Sequence, residues 1–171
     1  MIKTVKAFDY AGHICEAMAK GILMTTKDGD FVNTMTIGWG TIGIEWGKPV
    51  FVAYVRESRH TRTILDKTGE FTVNIPLEAA DRNIISVCGT KSGRDLDKIK
   101  HLNLTLVETP EFSVPGIKEL PLTLQCRVLF RNVQDETKLP ESIKHRFYSA
   151  INAGDYHIAY YAEIVGAYIA E

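Results

Sequence analysis

Residues 54–76 read YVRESRHTRTILDKTGEFTVNIP, and this stretch says more about the fold than any other part of the chain. An apolar run ends near Ser58, which is predicted to cap a helix over residues 59–67 because a serine hydroxyl accepts a free backbone N–H. Gly69 is predicted to end that helix, since glycine readily adopts the left-handed conformation. The alternating run FTVNI then predicts a strand that stops at Pro76.

The start of this predicted helix carries a dense cluster of cationic residues. Arg56, Arg59, His60 and Arg62 all lie within about one helical turn of Ser58. A helix N-terminus offers unpaired N–H groups and about half a positive elementary charge, so it favours an anion such as phosphate. A capped helix with a solvated basic face is the alternative. The cluster therefore indicates an anion site without identifying the anion.

Outside this segment, the pattern predicts more strands than helices. No regular alternation of strands and helices occurs, which favours an antiparallel barrel over a doubly wound sheet. No repeat, linker or domain boundary is evident, so we expect a single domain over residues 1–171. The predicted elements are a hairpin around Asp28-Gly29, strands over residues 49–55, 120–133 and 157–169, and short helices over residues 78–87 and 141–152.

The composition limits the classes of partner. The 171 residues include 20 Lys and Arg against 21 Asp and Glu, a net charge of −1 that offers no general attraction to nucleic acid. No apolar run approaches the ~20 residues of a membrane span, and the N-terminus lacks the apolar core of a secretion signal. We therefore expect a cytoplasmic protein. The cysteines at 15, 88 and 126 form no metal-binding spacing, which predicts free thiols and no metal site.

Two further segments have compositions suited to a ligand. Residues 33–40, NTMTIGWG, alternate polar and apolar side chains, and their glycines would let a flat heteroaromatic ring approach the backbone. Residues 88–95, CGTKSGRD, followed by Lys98, could form a concavity of backbone amides for an anion or a ring edge. The alternatives are a bulged barrel strand with Trp39 in the core and an ordinary surface loop.

Four segments occur in an order that resembles the flavin reductase-like family of FMN-binding split barrels, in particular its flavoredoxin-type members. They are NTMTIGWG, VRESRHTRTILDKTGEFTVNIP, CGTKSGRDLDK and GDYH, and the similarity runs from about Gly21 to Val165. The run RxSRxT…GEFxVNxP is the most specific of them. The resemblance implies a mainly β fold, a six-stranded antiparallel Greek-key barrel with peripheral short helices. It also implies a homodimer with FMN near the subunit interface.

The resemblance further implies which residues contact FMN. Residues 33–37 would lie along the isoalloxazine ring and the ribityl chain, and residues 58–61 would hold the 5′-phosphate. Cys88, Gly89, Ser92 and Gly93 would close over the flavin, and Lys98 could add charge near the phosphate or the ring. His157 matches a family histidine near the nicotinamide or the flavin and is the candidate catalytic residue. The implied cofactor-binding set is Asn33, Thr34, Met35, Thr36, Ile37, Ser58, Arg59, His60, Thr61, Cys88, Gly89, Ser92, Gly93 and Lys98.

The implied function is that of an FMN-dependent oxidoreductase. Electrons would pass from NAD(P)H or a small electron-transfer protein to a flavin, a protein or a small acceptor, with bound FMN between them. A non-catalytic FMN-binding electron carrier or flavin-storage protein is the alternative, and it stays open because Tyr156 separates Asp155 from His157. A haem- or pyridoxal-related split barrel is a third alternative. The sequence identifies neither the nicotinamide cofactor nor the terminal acceptor.

Overall fold

Ten strands and five helices make up the computed structural model, which describes residues 1–171. Three short 3-10 helices lie between them, at Ala7–Tyr10, Glu136–Lys138 and Ala150–Asn152. The strands are β1 (Ile2–Thr4), β2 (Ile22–Asp28), β3 (Phe31–Ile37), β4 (Gly40–Glu45), β5 (Lys48–Arg56), β6 (Glu70–Ile75), β7 (Leu106–Thr109), β8 (Phe112–Ile117), β9 (Leu122–Val133) and β10 (His157–Ala170). The helices are α1 (Ala11–Met18), α2 (His60–Thr68), α3 (Arg82–Thr90), α4 (Lys98–His101) and α5 (Glu141–Phe147).

The principal sheet has the strand order β3-β2-β6-β9-β10-β5-β4, and the short β1 adds to β10 as its eighth strand. All its pairs are antiparallel, which confirms the mainly β, antiparallel prediction. Strands β7 and β8 form a separate hairpin. Pairing of Asp28 with Phe31 places the predicted tight turn at Gly29 and Asp30. The last strand lies between β9 and β5, so its start is held on both sides.

The core lies on one face of this sheet because side chains of a strand alternate between its two faces. In β10 the residues at alternate positions from Ile158 to Ile164 are buried, and Tyr160 among them is almost fully enclosed. Phe51 and Phe71 meet edge to face in the same cluster, with their ring centroids 6.5 Å apart. Burial of each such side chain contributes about 1.5–3 kcal/mol to folding.

The helix after β5 begins one residue later than predicted, and Ser58 is not its cap. Arg59 is the N-cap residue, with an extended backbone, and the helix runs from His60 to Thr68. The Ser58 hydroxyl is instead bonded to a carboxylate from another part of the chain. Gly69 ends the helix in the left-handed conformation, with φ 68°, as its position in the sequence predicts.

Two other helix predictions need correction at their boundaries. The helix predicted over residues 78–87 runs from Arg82 to Thr90, because the Asp81 carboxylate accepts the Asn83 N–H at 2.8 Å and so starts the helix there. The helix predicted over residues 141–152 ends at Phe147 and is followed by a separate 3-10 turn. Tyr148 is the C-cap residue of this helix, and its hydroxyl lies 2.7 Å from His157 Nδ1 at the start of β10.

The three cysteines are free thiols, as predicted, and two of them, Cys88 and Cys126, are buried. None of the five helices has the length and apolar character needed to cross a bilayer.

Candidate functional site

Three cavities join into one trough along the ends of β3 and β5. The cationic cavity, about 280 Å³, is lined by side chains from β3, the start of α2 and the loop before α4. The middle cavity, about 160 Å³, shares Met35, Arg56 and Arg59 with it. The aromatic cavity, about 540 Å³, shares Trp39 and His157 with the middle one. The trough therefore runs from a charged end to an apolar end.

Five cationic side chains line the cationic cavity, and none of them forms a salt bridge with a carboxylate. Four are held by backbone carbonyl oxygens instead, which position a cation without neutralising it. Arg56 donates to Asp155 O at 2.7 Å, Arg59 to Gly89 O at 2.9 Å, Arg94 to Ser58 O at 3.2 Å and Lys98 to Lys91 O at 3.1 Å. This end of the trough is consequently suited to a multiply charged anion.

Two of these cations, Lys98 and Arg59, are buried enough that their charged forms are destabilised without an anionic partner. Lys98 is only 4% exposed, and burial lowers its pKa, with Arg59 adding to the effect and Cys88 opposing it. Burial also lowers the pKa of Arg59, and neighbouring Arg56 lowers it further. A buried charge is costly unless it is paired, so an anion placed between these side chains would be strongly stabilised.

Asn33 contributes the one buried side-chain oxygen in the chain that has no hydrogen-bond partner, Oδ1. Its amide nitrogen donates to Thr61 Oγ1 at 2.9 Å, which fixes the orientation of the group. Gly93 lies against this oxygen so closely that a Cβ atom there would stand 2.1 Å from it. The cavity thus presents an unsatisfied acceptor, which a ligand hydroxyl group can satisfy.

Ser58 differs from its predicted role as a free phosphate ligand. Its backbone N–H and its hydroxyl donate to the two oxygens of the Asp155 carboxylate, at 2.9 and 2.7 Å. Asp155 is also the only acidic side chain that lines the cationic cavity. The anion that the sequence predicts at Ser58 is therefore supplied in part by the chain itself. His60 and Thr61, the first two residues of α2, also line the cavity.

Four of the five residues predicted to contact the ligand on β3 line the trough, and Thr34 is the exception. Asn33 and Met35 line the cationic cavity, and Met35, Thr36 and Ile37 line the middle one. Thr34 points away from the trough, where its hydroxyl bonds to Met24 O at 3.3 Å and pairs with Thr25. The Thr36 hydroxyl donates to Ile85 O at 2.6 Å, which ties β3 to α3.

Of the predicted contacts from residues 88–98, some line the trough and others lie outside it. Ser92 and Gly93 line the cationic cavity, together with Lys98. Cys88 lies in a small apolar cluster under α3, outside all three cavities, where burial raises the pKa of its thiol to about 11. Gly89 contributes its carbonyl oxygen to Arg59 rather than lining the trough. Cys88 therefore packs beneath the site, and Gly89 positions Arg59, but neither residue lines the trough.

Aromatic side chains enclose the far end of the trough. Trp39 meets Phe147 edge to face with centroids 5.0 Å apart, and it lies 4.8 Å from the His157 ring. His157 Nδ1 lies 2.7 Å from the Tyr148 hydroxyl. Burial, with Arg56 next in effect and Asp155 opposing, lowers the pKa of His157 to about 4, so the imidazole is neutral at pH 7. It can donate a hydrogen bond from a ring N–H, but it carries no charge.

Several residues of this site escape prediction from the sequence. Tyr148, Phe147 and Gln134 come from segments that carry no recognisable motif, and they reach the trough only because β9 and β10 pair beside β5. Asp155 could have been suspected from the sequence, because it lies two residues before His157 in the GDYH segment. Its bond to Ser58 spans 97 residues, a separation over which a sequence pattern indicates nothing.

The family model described as "Flavin reductase like domain" matches residues 16–171. An uncharacterized protein of Archaeoglobus fulgidus is 33% identical over 97 residues, which cover 57% of this chain and 54% of that protein. The chain thus spans about half the length of the curated relatives it matches.

Solved structures share the fold. The flavoredoxin of Desulfovibrio vulgaris (Miyazaki F) superposes with a TM-score of 0.67 at 21% identity, over 88% of this chain and 69% of its own. An FMN-binding domain of a flavin reductases-like enzyme from Shewanella baltica superposes with a TM-score of 0.65 at 15% identity, over 99% of this chain and 77% of its own. These likenesses confirm the predicted split-barrel fold.

Proposed function

Because the chain belongs to the flavin reductase like domain family, we propose that it binds FMN in the three-cavity trough and transfers electrons through it. The donor would be NAD(P)H or a small electron-transfer protein, and the acceptor a flavin, a protein or a small molecule. The cationic cavity is the observation that carries the proposal. Backbone carbonyl oxygens position its cationic side chains, and none of these side chains forms a salt bridge.

The residues of the trough fit the parts of FMN in order. Arg59, Arg94 and Lys98, with the first residues of α2, would hold the phosphate. Asn33 Oδ1 would accept a hydrogen bond from a ribityl hydroxyl, which satisfies the one orphaned buried oxygen. Met35 and Trp39, at the two ends of the middle cavity, would contact the ring. The gradient from charged to apolar surface matches a ligand that is anionic at one end and aromatic at the other.

Bound FMN would supply the redox chemistry, and the chain supplies binding, orientation and exclusion of water. The neutral His157 imidazole can offer an N–H to a ligand carbonyl, and the Tyr148 hydroxyl keeps its orientation. Residues Met35 to Gly38 line the middle cavity, and their backbone groups could orient a flat ring. Electron transfer of this kind depends on the alignment of the donor and acceptor rings rather than on a pair of acid and base residues.

Titration with FMN tests the proposal directly. The purified protein is expected to quench the fluorescence of added FMN with a saturable, one-to-one stoichiometry, and a protein that leaves FMN fluorescence unchanged would contradict it. Stopped-flow mixing of the loaded protein with NADH or NADPH then follows the loss of visible flavin absorbance. Reduction only by an electron-transfer protein or a chemical reductant would favour the carrier alternative. Sedimentation of the same loaded sample tests the predicted homodimer.

Replacement of Asp155 by Asn is expected to tighten FMN binding about two- to fivefold at low salt. The substitution removes the only acidic side chain of the cationic cavity, and a partly exposed charge of this kind is worth a few tenths to about 1 kcal/mol. Fluorescence titration at low and high salt measures the change, which should shrink as salt screens it. Glu45→Gln, at the end of β4 and paired with the first residue of β5, is the control and should leave affinity unchanged. Weaker binding in Asp155→Asn would instead assign Asp155 a direct role in holding the cofactor.

A further inference from the structure

The connection between β9 and β10, residues 134–156, touches both ends of the trough, and we call it the strap. It lines the aromatic cavity with Gln134, Leu139, Ile143, Phe147 and Tyr148. It lines the cationic cavity with Asn152 and Asp155. Tyr148 is the only buried residue of the strap. The rest of the segment therefore gains little from packing and depends on polar contacts with the body of the fold.

The part of the strap nearest the cationic cavity is a single 3-10 turn with little intrinsic order. The amides of Asn152, Ala153 and Asp155 each donate to the carbonyl oxygen three residues earlier, at 3.1 Å. A helix this short is not stable in water by itself. Ala150 has a left-handed backbone, φ 52°, which is unfavourable for an alanine, and the Ile151 side chain is 97% exposed. Contacts outside the turn must therefore hold it in place.

Asp155 fastens this turn to the body of the fold through donors that a phosphate would also use. Its two carboxylate oxygens accept from the Ser58 N–H at 2.9 Å and from the Ser58 hydroxyl at 2.7 Å. Ser58 directly precedes Arg59, the N-cap residue of α2, at the end of the helix that attracts an anion. Arg56 adds bonds to Asp155 O and Phe147 O, at 2.7 and 3.1 Å. The carboxylate therefore occupies a position suited to a phosphate oxygen.

We propose that the contact between Ser58 and Asp155 is an autoinhibitory latch, and that a phosphate binding at Ser58 displaces the carboxylate and releases the strap turn. The two anions compete for the same N–H and the same hydroxyl, and their like charges repel at hydrogen-bond distance. The inference rests on the proposed function in one respect, namely that the anion entering the cationic cavity is the phosphate of FMN. The order of the strap then depends on whether the charged end of the trough is filled.

Exchange of amide hydrogens with water, measured by NMR on the flavin-free protein, tests the latch without any ligand. Asp155→Ala removes both acceptor oxygens, so exchange at Asn152 and Ala153 should rise about 2- to 12-fold, the range for one hydrogen bond. Glu141→Gln is the matched control, because Glu141 lies in the same strap and its salt bridge is with Lys144 of its own helix. The control should keep both exchange rates at the parental value. Parental exchange in Asp155→Ala would overturn the inference.

Titration with inorganic phosphate tests the displacement itself. The amide signals of His60 and Thr61 report phosphate binding at the start of α2, and exchange at Asn152 and Ala153 reports the order of the strap. In the parent protein both should change with the same midpoint, and exchange should rise toward the level of Asp155→Ala. In Asp155→Ala phosphate should still shift the two signals of α2 but leave exchange unchanged. Sodium chloride at equal ionic strength is the control for screening.

The outcomes separate this inference from the proposed function. Phosphate that shifts the His60 and Thr61 signals without raising strap exchange would overturn the latch and leave the proposal for FMN standing. The latch would also be overturned if phosphate shifted neither signal, or if chloride raised strap exchange as much as phosphate does. A protein that releases the strap on addition of phosphate but leaves FMN fluorescence unchanged would retain the latch and remove the proposed function.

Discussion

Replacement of Arg59 by Ala is expected to weaken FMN binding by about 1.5–3 kcal/mol, or roughly 10- to 150-fold, the range for a hydrogen bond to a charged group. Arg59 is half-buried, lines both the cationic and the middle cavity, and is held in place by the Gly89 carbonyl at 2.9 Å. Arg59 forms no salt bridge, and the nearby Asp155 carboxylate is hydrogen-bonded to Ser58, so the guanidinium would be available to the phosphate. Titration of FMN fluorescence in the parent protein and the variant measures the difference.

Arg62 is the matched control, three residues further along the same helix. Its guanidinium donates to Glu57 O at 2.8 Å and to Asp66 at 3.1 Å, and it lines none of the three cavities. Arg62→Ala removes the same charge from the same helix but should change FMN affinity less than about threefold. Equal losses in the two variants would show that the helix field as a whole, rather than the position of Arg59, attracts the cofactor.

Lowering the pH from 7 to 4 is expected to reduce the free energy of unfolding by about 3 kcal/mol through His157 alone. Its pKa in the folded chain is about 4, against 6.5 for an ordinary histidine, because burial and Arg56 disfavour the imidazolium and Asp155 offsets this only in part. The unfolded chain therefore takes up a proton as the pH falls through 6.5, while the folded chain does not until about pH 4. The contribution of His157 to the free energy of unfolding is therefore complete above pH 6.5 and is lost as the pH falls from 6.5 to about 4.

Denaturant unfolding of the flavin-free protein at both pH values measures the effect, with His157→Gln as the comparison. Carboxylates that titrate in the same range contribute equally to the parent and the variant, so the difference between their pH slopes belongs to His157. His101→Gln, which changes an exposed histidine, should keep the parental slope. A His157→Gln variant with the full parental slope would show that the buried imidazole does not limit stability at low pH.

Much of the strand framework follows from local sequence. The tight turn after Asp28, the strand from Lys48 to Arg56 and the long last strand were all predicted from alternation, β-branched content and turn residues. These signals are local, because a strand buries alternate residues wherever it pairs. Helix starts were predicted less well. The helix from Arg82 to Thr90 begins where the Asp81 carboxylate caps its first turn, whereas the helix after β5 begins at His60 without a side-chain cap.

For the site, the sequence by itself determined the cationic residues, the Asn33–Ile37 strand and the Ser92–Gly93 loop, because their order resembles one family and their chemistry suits a phosphate. Only the tertiary structure decided which of these residues line the trough. Strand alternation turns Thr34 away, and burial places Cys88 behind the site. The structure also brings Asp155 to Ser58 and Tyr148 to His157. Such contacts depend on strand pairing across the whole sheet, so no local pattern in the chain can specify them.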